Sequence, residues 1–339
     1  NAESLRCTRL VKRYSARSGC FSCSIGCRHR YTVPSGPYAG MEAEGPDYGT
    51  LGAFGPICGI TAADEIFILN DLVNRLGLDS VTTGNLIAWV IELSQKGMLA
   101  DKSIQERIEW GDTSTIRRIV EDISARKNIG DILALGPRLA SREMDEDSSR
   151  LLWWTKNLVQ SDSVDVRSFR GFALSIATAT RGADHLRSRP TLEALHLPDD
   201  LLDRIYGGKV SGDPLSYSGK ARMVWWTESL YAVADALGIC KFVLKFNNPF
   251  LLGFEELAEL LYLGAGLSLT PQELFRVGQR ITSIEREILG KLGVSRNDDM
   301  LPDRYFQAIT EGPLKGTQLD RTEFGKMLDE YYGLHGWEL

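Results

Sequence analysis

A chain of 339 residues is long enough for two domains, and 43% hydrophobic with 25% charged residues is ordinary globular usage. The net charge of −6 and the pI near 5.4 argue against nucleic acid as a partner. Six cysteines are too few and too unevenly placed for a secreted disulfide scaffold, so a reducing compartment such as the cytoplasm fits better. No apolar run reaches membrane-spanning length, because the stretches near Leu257–Leu269 and Ile87–Leu93 are short or broken by glutamate and glycine. No secretory signal is expected. The chain starts at Asn1 rather than methionine and stops at Trp337-Glu338-Leu339, which reads as a piece of a longer protein.

In chain order, the first signal is the run Cys20-x2-Cys23-x3-Cys27, followed by a strand at Tyr31-Thr-Val33. Thr61 then opens an amphipathic helix with Ile66, Leu69, Leu72, Val73 and Leu76 on one face, stopped by Gly77. Thr83 is read as the cap of a second helix, Asn85 to Lys96, ended by Gly97. Ile116, Ile119, Val120 and Ile123 mark a third, closing near Gly130. The polar stretch Ser141–Arg150 lacks apolar periodicity and reads as a linker. It places a domain boundary there, giving domains 1–150 and 151–339. Lys241-Phe-Val-Leu-Lys245 reads as a strand. Thr270-Pro-Gln-Glu273 is a capping box, and Asp320-Arg-Thr-Glu323 is a looser copy ahead of a last helix, Phe324 to Tyr332. The expected fold is mainly α: two packed helical domains with few short strands.

The cysteines carry the chemistry. A CxxCxxxC run can curl three thiolates around one iron–sulfur cluster, and the distant Cys240 can close a fourth corner. Zinc competes for any set of four cysteines, although its usual second CxxC or histidine pair is missing. Unligated thiols are the third reading. Two further segments, Asn74-Arg-Leu-Gly77-Leu78-Asp79 and Asp235-Ala-Leu-Gly238-Ile239-Cys240, each follow an apolar helix. Each can be a plain glycine cap, or a turn that offers backbone and side-chain hydrogen bonds to a flat polar heterocycle.

These features together resemble the aldehyde ferredoxin oxidoreductase family of tungstopterin enzymes. The resemblance continues through Glu44-Gly-Pro-Asp-Tyr48, Gly55-Pro-Ile-Cys58-Gly-Ile60, Trp110-Gly-Asp112 and Ala177-Thr-Ala-Thr-Arg-Gly182. It runs on through Gly219-Lys-Ala221, Arg296-Asn-Asp-Asp-Met-Leu-Pro302 and Met327-Leu-Asp-Glu-Tyr-Tyr332. It implies the two helical domains that follow the family's N-terminal pterin domain. It implies a [4Fe–4S] cluster on Cys20, Cys23, Cys27 and Cys240, and a tungsten (or molybdenum) bis-pterin shared with that first domain. Asp235, Gly238 and Ile239 then form one pterin turn. Asn74, Gly77 and Asp79 form the other, with Asn74 where the family often has aspartate.

By the same resemblance Arg187 stands where a lysine contacts pterin, and His185 matches an active-site histidine whose ordinary pKa suits taking a proton as an aldehyde becomes an acid. Asp47 matches part of an acidic segment near the metal pocket, but the second acid is replaced by Gly49. That departure leaves room for another substrate, as in the tungsten subunit of class II benzoyl-CoA reductases. Cys58 is either a metal-reaching thiolate or a small buried thiol. Cys7 has no partner by spacing. The implied activity is aldehyde oxidation, with electrons passing through the cluster to ferredoxin or an iron–sulfur partner subunit. The small-molecule substrate is unspecified, and a homodimer is compatible. The alternative from another class is a helical iron–sulfur relay without catalysis of its own.

Overall fold

The cysteine run occupies the tip of a β-hairpin in the computed structural model, which describes residues 10, 13–23, 25–99, 107–160, 164–246 and 248–338. Cys7 lies outside these. The described chain is mainly helical and falls into two compact units, Asn1–Ser163 and Val164–Leu339.

In the first unit β1 (Tyr14–Ser18), β2 (Arg28–Thr32) and β3 (Glu42–Glu44) form an antiparallel sheet in that order. Ser18 pairs with Arg28, so 19–27 is the hairpin loop. Tyr31 anchors the sheet to helix α2 (Ala63–Arg75): its ring stacks on Phe67 at 4.1 Å and its hydroxyl donates to the Phe67 carbonyl. Burial pushes that phenol up to about 12. Asn70 on the same helix donates to the Glu44 carbonyl at 2.9 Å. Before α2 come α1 (Tyr48–Gly52) and a π-turn, Ala53–Ile57. After it come α3 (Ser80–Gln95), α4 (Thr113–Ala125), α5 (Asn128–Leu133), α6 (Pro137–Arg142) and α7 (Glu146–Ser149). The core joins Ile66, Leu69 and Val73 of α2 to Ile87, Val90 and Ile91 of α3 and Ile116, Ile119 and Val120 of α4. A short ladder of β4 (Trp154–Thr155) and β5 (Leu158–Val159) follows.

Two local readings change here. Helix α3 starts at Ser80 rather than after Thr83, because the Asp79 carboxylate accepts the Thr82 N–H at 2.7 Å and Thr83 is buried. The polar 141–150 stretch is partly helical: Asp145 caps α7 through Ser148 N–H at 2.9 Å, and Ser148 is buried beneath Trp89, whose indole donates to its carbonyl.

The second unit contains α8 (Arg170–Thr178), α9 (Asp199–Tyr206), α10 (Lys220–Leu237), α11 (Phe254–Ala265), α12 (Pro271–Lys291) and α13 (Arg321–His335). Helix α10 is buried on most sides because α8, α12 and α13 all pack on it. Gly278 of α12 lets the helices approach: a Cβ there would lie 2.2 Å from the Ser229 carbonyl oxygen of α10. The Thr270 capping box forms as expected, and Asp320 caps α13. The 241–245 segment is no strand. Val243 and Leu244 N–H groups bond back to Cys240 and Lys241, closing a 3₁₀ turn at Lys241–Val243 with one bridge from Leu244 to Leu252. Among the described residues no helix is long and apolar enough to cross a membrane.

Candidate cofactor site

The hairpin loop presents three thiols on nine residues. Cys20 and Cys27 are exposed, and Cys23 is partly covered. Cys23 N–H bonds to the Cys20 carbonyl at 3.0 Å, and Ser22 (φ 57°) and Gly26 (φ 54°) supply left-handed bends. Arg17 holds the loop by donating to the Gly26 and Ile25 carbonyls at 3.0 and 2.8 Å. The Gly26 amide, with that of Ile25, holds the Cys23 thiol below its ordinary value. Arg28 pairs with Glu44 at 2.7 Å and adds positive potential at Cys20 and Cys27. Thiolate-favouring amides at Cys23, a nearby cation and the exposure of Cys20 and Cys27 fit a cysteine-ligated metal group. Among the described residues no three metal-ligating side chains are already gathered, and the five described cysteines form no disulfide.

The two glycine turns have the same backbone. In the first, Leu78 N–H reaches the Val73 carbonyl at 2.9 Å and Gly77 N–H the Asn74 carbonyl at 3.2 Å. In the second, Ile239 N–H reaches Ala234 at 2.8 Å and Gly238 N–H reaches Asp235 at 3.2 Å. Both glycines have φ of 69°. These are Schellman closures, and they put Asn74 and Asp235 at equivalent positions in the last helical turn. Each runs directly into another helical segment, α3 capped by Asp79 and the 3₁₀ turn that starts after Cys240. Asn74, Gly77 and Asp79 are exposed, as are Asp235, Gly238 and Cys240.

The turns differ in charge. Asp235 is clasped by two cations: Lys241 Nζ lies 2.8 Å from one carboxylate oxygen and 2.9 Å from the other, and Arg187 Nη1 lies 3.3 Å away. The other Arg187 nitrogen binds Glu285, which also accepts from the Thr180 hydroxyl at 2.7 Å. Lys241 and Glu285 were not singled out from the sequence. Adjacency to Cys240 could have flagged Lys241, whereas Glu285, from a distant helix, gave no signal.

His185 is half-buried between Asp184 and Arg187. Asp184 is buried, binds Arg181 and accepts Leu186 N–H at 2.8 Å, which fixes the segment beside the imidazole. Asp47 caps α1 by accepting Thr50 N–H at 2.8 Å. Cys58 is fully buried, donates to the Gly84 carbonyl at 3.2 Å and has its thiol pushed up by burial. The geometry makes it a packed thiol, since a metal ligand must be a thiolate. The structure thus gathers Arg187, Asp235, Gly238, Ile239 and Cys240 in the second unit. In the first it sets Cys20, Cys23 and Cys27 on one loop and Asn74, Gly77 and Asp79 on one turn.

Residues 1–339 match the family described as aldehyde ferredoxin oxidoreductase, domains 2 and 3. The tungsten-containing aldehyde ferredoxin oxidoreductase of Pyrococcus furiosus is 31% identical over 324 residues, which cover 94% of this chain and 49% of that protein. The aliphatic sulfonate oxidoreductase, WOR-like subunit, of the same organism is 28% identical over 335 residues, 97% of this chain and 48% of that protein. The chain therefore spans about half the length of these curated relatives. Among solved structures, the active site complex BamBC of benzoyl coenzyme A reductase with 1,5-dienoyl-CoA superposes with a TM-score of 0.74 at 19% identity. That match covers 97% of this chain and 51% of that one, a likeness of fold. The chain belongs to the aldehyde ferredoxin oxidoreductase family, over the stretch that corresponds to its domains 2 and 3.

Proposed function

We propose that this chain is the cluster- and pterin-binding part of a tungsten oxidoreductase. The observation that carries the reading is the repeated Schellman turn, one copy of which places Asp235 and Cys240 five residues apart around one glycine. Cys20, Cys23, Cys27 and Cys240 would hold a [4Fe–4S] cluster, and the turns at Asn74–Asp79 and Asp235–Ile239 would hold the two pterins. When bound, the tungsten or molybdenum bis-pterin supplies the two-electron chemistry and the cluster supplies the one-electron exit. The chain's own residues bind and orient. Asp235, oriented by its cation clasp, accepts hydrogen bonds from a heterocycle edge. Asn74 offers both donor and acceptor without charge. His185 takes the proton released as an aldehyde is converted to an acid. Electrons then pass to ferredoxin or an iron–sulfur partner subunit in a reducing, cytoplasmic setting.

A second reading concerns the substrate. Asp47 is occupied in capping α1, and Gly49 stands where a second acid would be. Both leave room for a low-potential carbonyl or aromatic acyl compound in place of a simple aldehyde. The test is tungsten, iron and pterin content of the full-length protein, followed by reduction of its cluster with an aldehyde or an aromatic acyl thioester. Iron without tungsten would leave only the electron-relay role.

A further inference from the structure

We infer that Lys241 is a positioning residue that sets the charge around the fourth cluster ligand, and so raises the cluster's reduction potential. The inference rests on the reading of Cys240 as that ligand. Lys241 follows Cys240 directly in the chain, so the two backbones are a single peptide apart. Its side chain is largely covered, with an exposure of 18%. It does not reach out to solvent as a surface lysine does. The ammonium binds both oxygens of Asp235 and sits 5.3 Å from the Tyr231 ring centroid. The same carboxylate holds Arg187, whose second nitrogen is turned to Glu285. Two cations thus converge on one carboxylate inside the turn that ends in Cys240, and the nearer in sequence is fixed rather than mobile. The equivalent first turn has a neutral Asn74 at the place of Asp235 and an uncharged Ser80 at the place of Lys241. The lysine is therefore specific to the turn that carries the cysteine.

Net charge near an iron–sulfur cluster is a direct lever on its potential, because reduction adds an electron to an already anionic group. A fixed cation favours the reduced form, and removing it disfavours that form. Lys241 thereby joins the two functions of one turn: it pins the Asp235 carboxylate and biases electron flow toward the cluster.

The experiment is a redox titration of the cluster, followed by electron paramagnetic resonance, in the full-length enzyme and in variants at Lys241. Lys241→Met keeps the stem against Tyr231 and loses the charge. It should lower the equilibrium constant for cluster reduction about tenfold, which is about 59 mV for one electron. Lys241→Glu should lower it further, and Lys241→Arg should stay near the parent. Lys241→Gln reads the same loss of charge should the methionine variant fail to fold. Parent-like potentials in the methionine and glutamate variants at full iron content would overturn the inference. So would an arginine variant as low as methionine, since that tracks packing rather than charge. Cys240→Ser separates the two levels: it should lose or convert the cluster, whereas an unaltered cluster would refute the ligand assignment itself.

Discussion

Lys220 and Glu193 are both completely buried and lie 3.1 Å apart, the most demanding electrostatic arrangement among the described residues. Glu193 also accepts the Gly171 and Phe172 N–H groups at the start of α8, and Lys220 donates to the Ser211 carbonyl at 2.9 Å. The pair therefore ties three segments of the second unit together at the N-terminus of the central helix. Removing one partner leaves a buried charge alone. Lys220→Met is expected to cost about 3–5 kcal/mol, read as a lower denaturation midpoint. Adding Glu193→Gln should recover part of that loss, and strict additivity of the two would show that the residues do not interact. The cysteines divide by the same logic of burial. Cys58→Ala should leave the iron content of the full-length protein at the parent level, because the thiol is sealed against Gly84 and held protonated. Cys23→Ala should remove cluster iron, because its thiolate is favoured by the loop amides.

The two turns show what glycine does at a helix end. Gly77 and Gly238 are left-handed with no atom within 4 Å of an added Cβ, so alanine there meets strain but no clash. Each change should cost about 1–2 kcal/mol. Gly278 is the opposite case, with ordinary helical backbone and no space. Gly278→Ala pushes α12 off α10 and should cost about 1–3 kcal/mol while also shifting packing around Ser229, seen as altered side-chain chemical shifts. The turns were legible in the sequence because glycine after an apolar helical stretch encodes a local closure. The capping boxes were legible for the same reason. What the sequence hid were competitions between near neighbours. Asp79 takes the cap of α3 from Thr83 because a carboxylate four residues earlier catches the first free amides. Lys241–Lys245 reads as a strand from its Phe, Val and Leu, but a strand needs a partner along its length, and only Leu244 finds one, in Leu252. The cysteine loop was visible as a spacing, and its hairpin frame only partly, through Tyr31. The clasp on Asp235 needed the fold, since Arg187 lies 48 residues from Asp235 in the chain.

Across the whole molecule, helices that begin at capping carboxylates make folding sensitive to acid. Asp112 accepts from Ser114 and Thr115 at the start of α4, and these hydrogen bonds, led by that from Thr115, hold its carboxyl below the usual range. Asp145 at α7 is lowered in the same direction, chiefly by the Ser148 amide. The sign follows from proton counting. A carboxylate whose folded pKa is depressed binds its proton more readily when the chain is unfolded, so stability rises with pH between the two values. The contribution is complete above the unfolded carboxylate pKa and is lost as pH falls through the lower, folded one. Asp112→Asn keeps a capping oxygen but cannot titrate there. It should cost little at neutral pH and should flatten the acid limb of the urea midpoint against pH. Asp112→Ala, with no cap at all, should cost about 1 kcal/mol at neutral pH, and that cost should shrink on acidification as the parent's own cap is protonated. A cost for the alanine variant that stays constant down to the acid limit would show that the Asp112 carboxylate does not stabilise α4 through its charge.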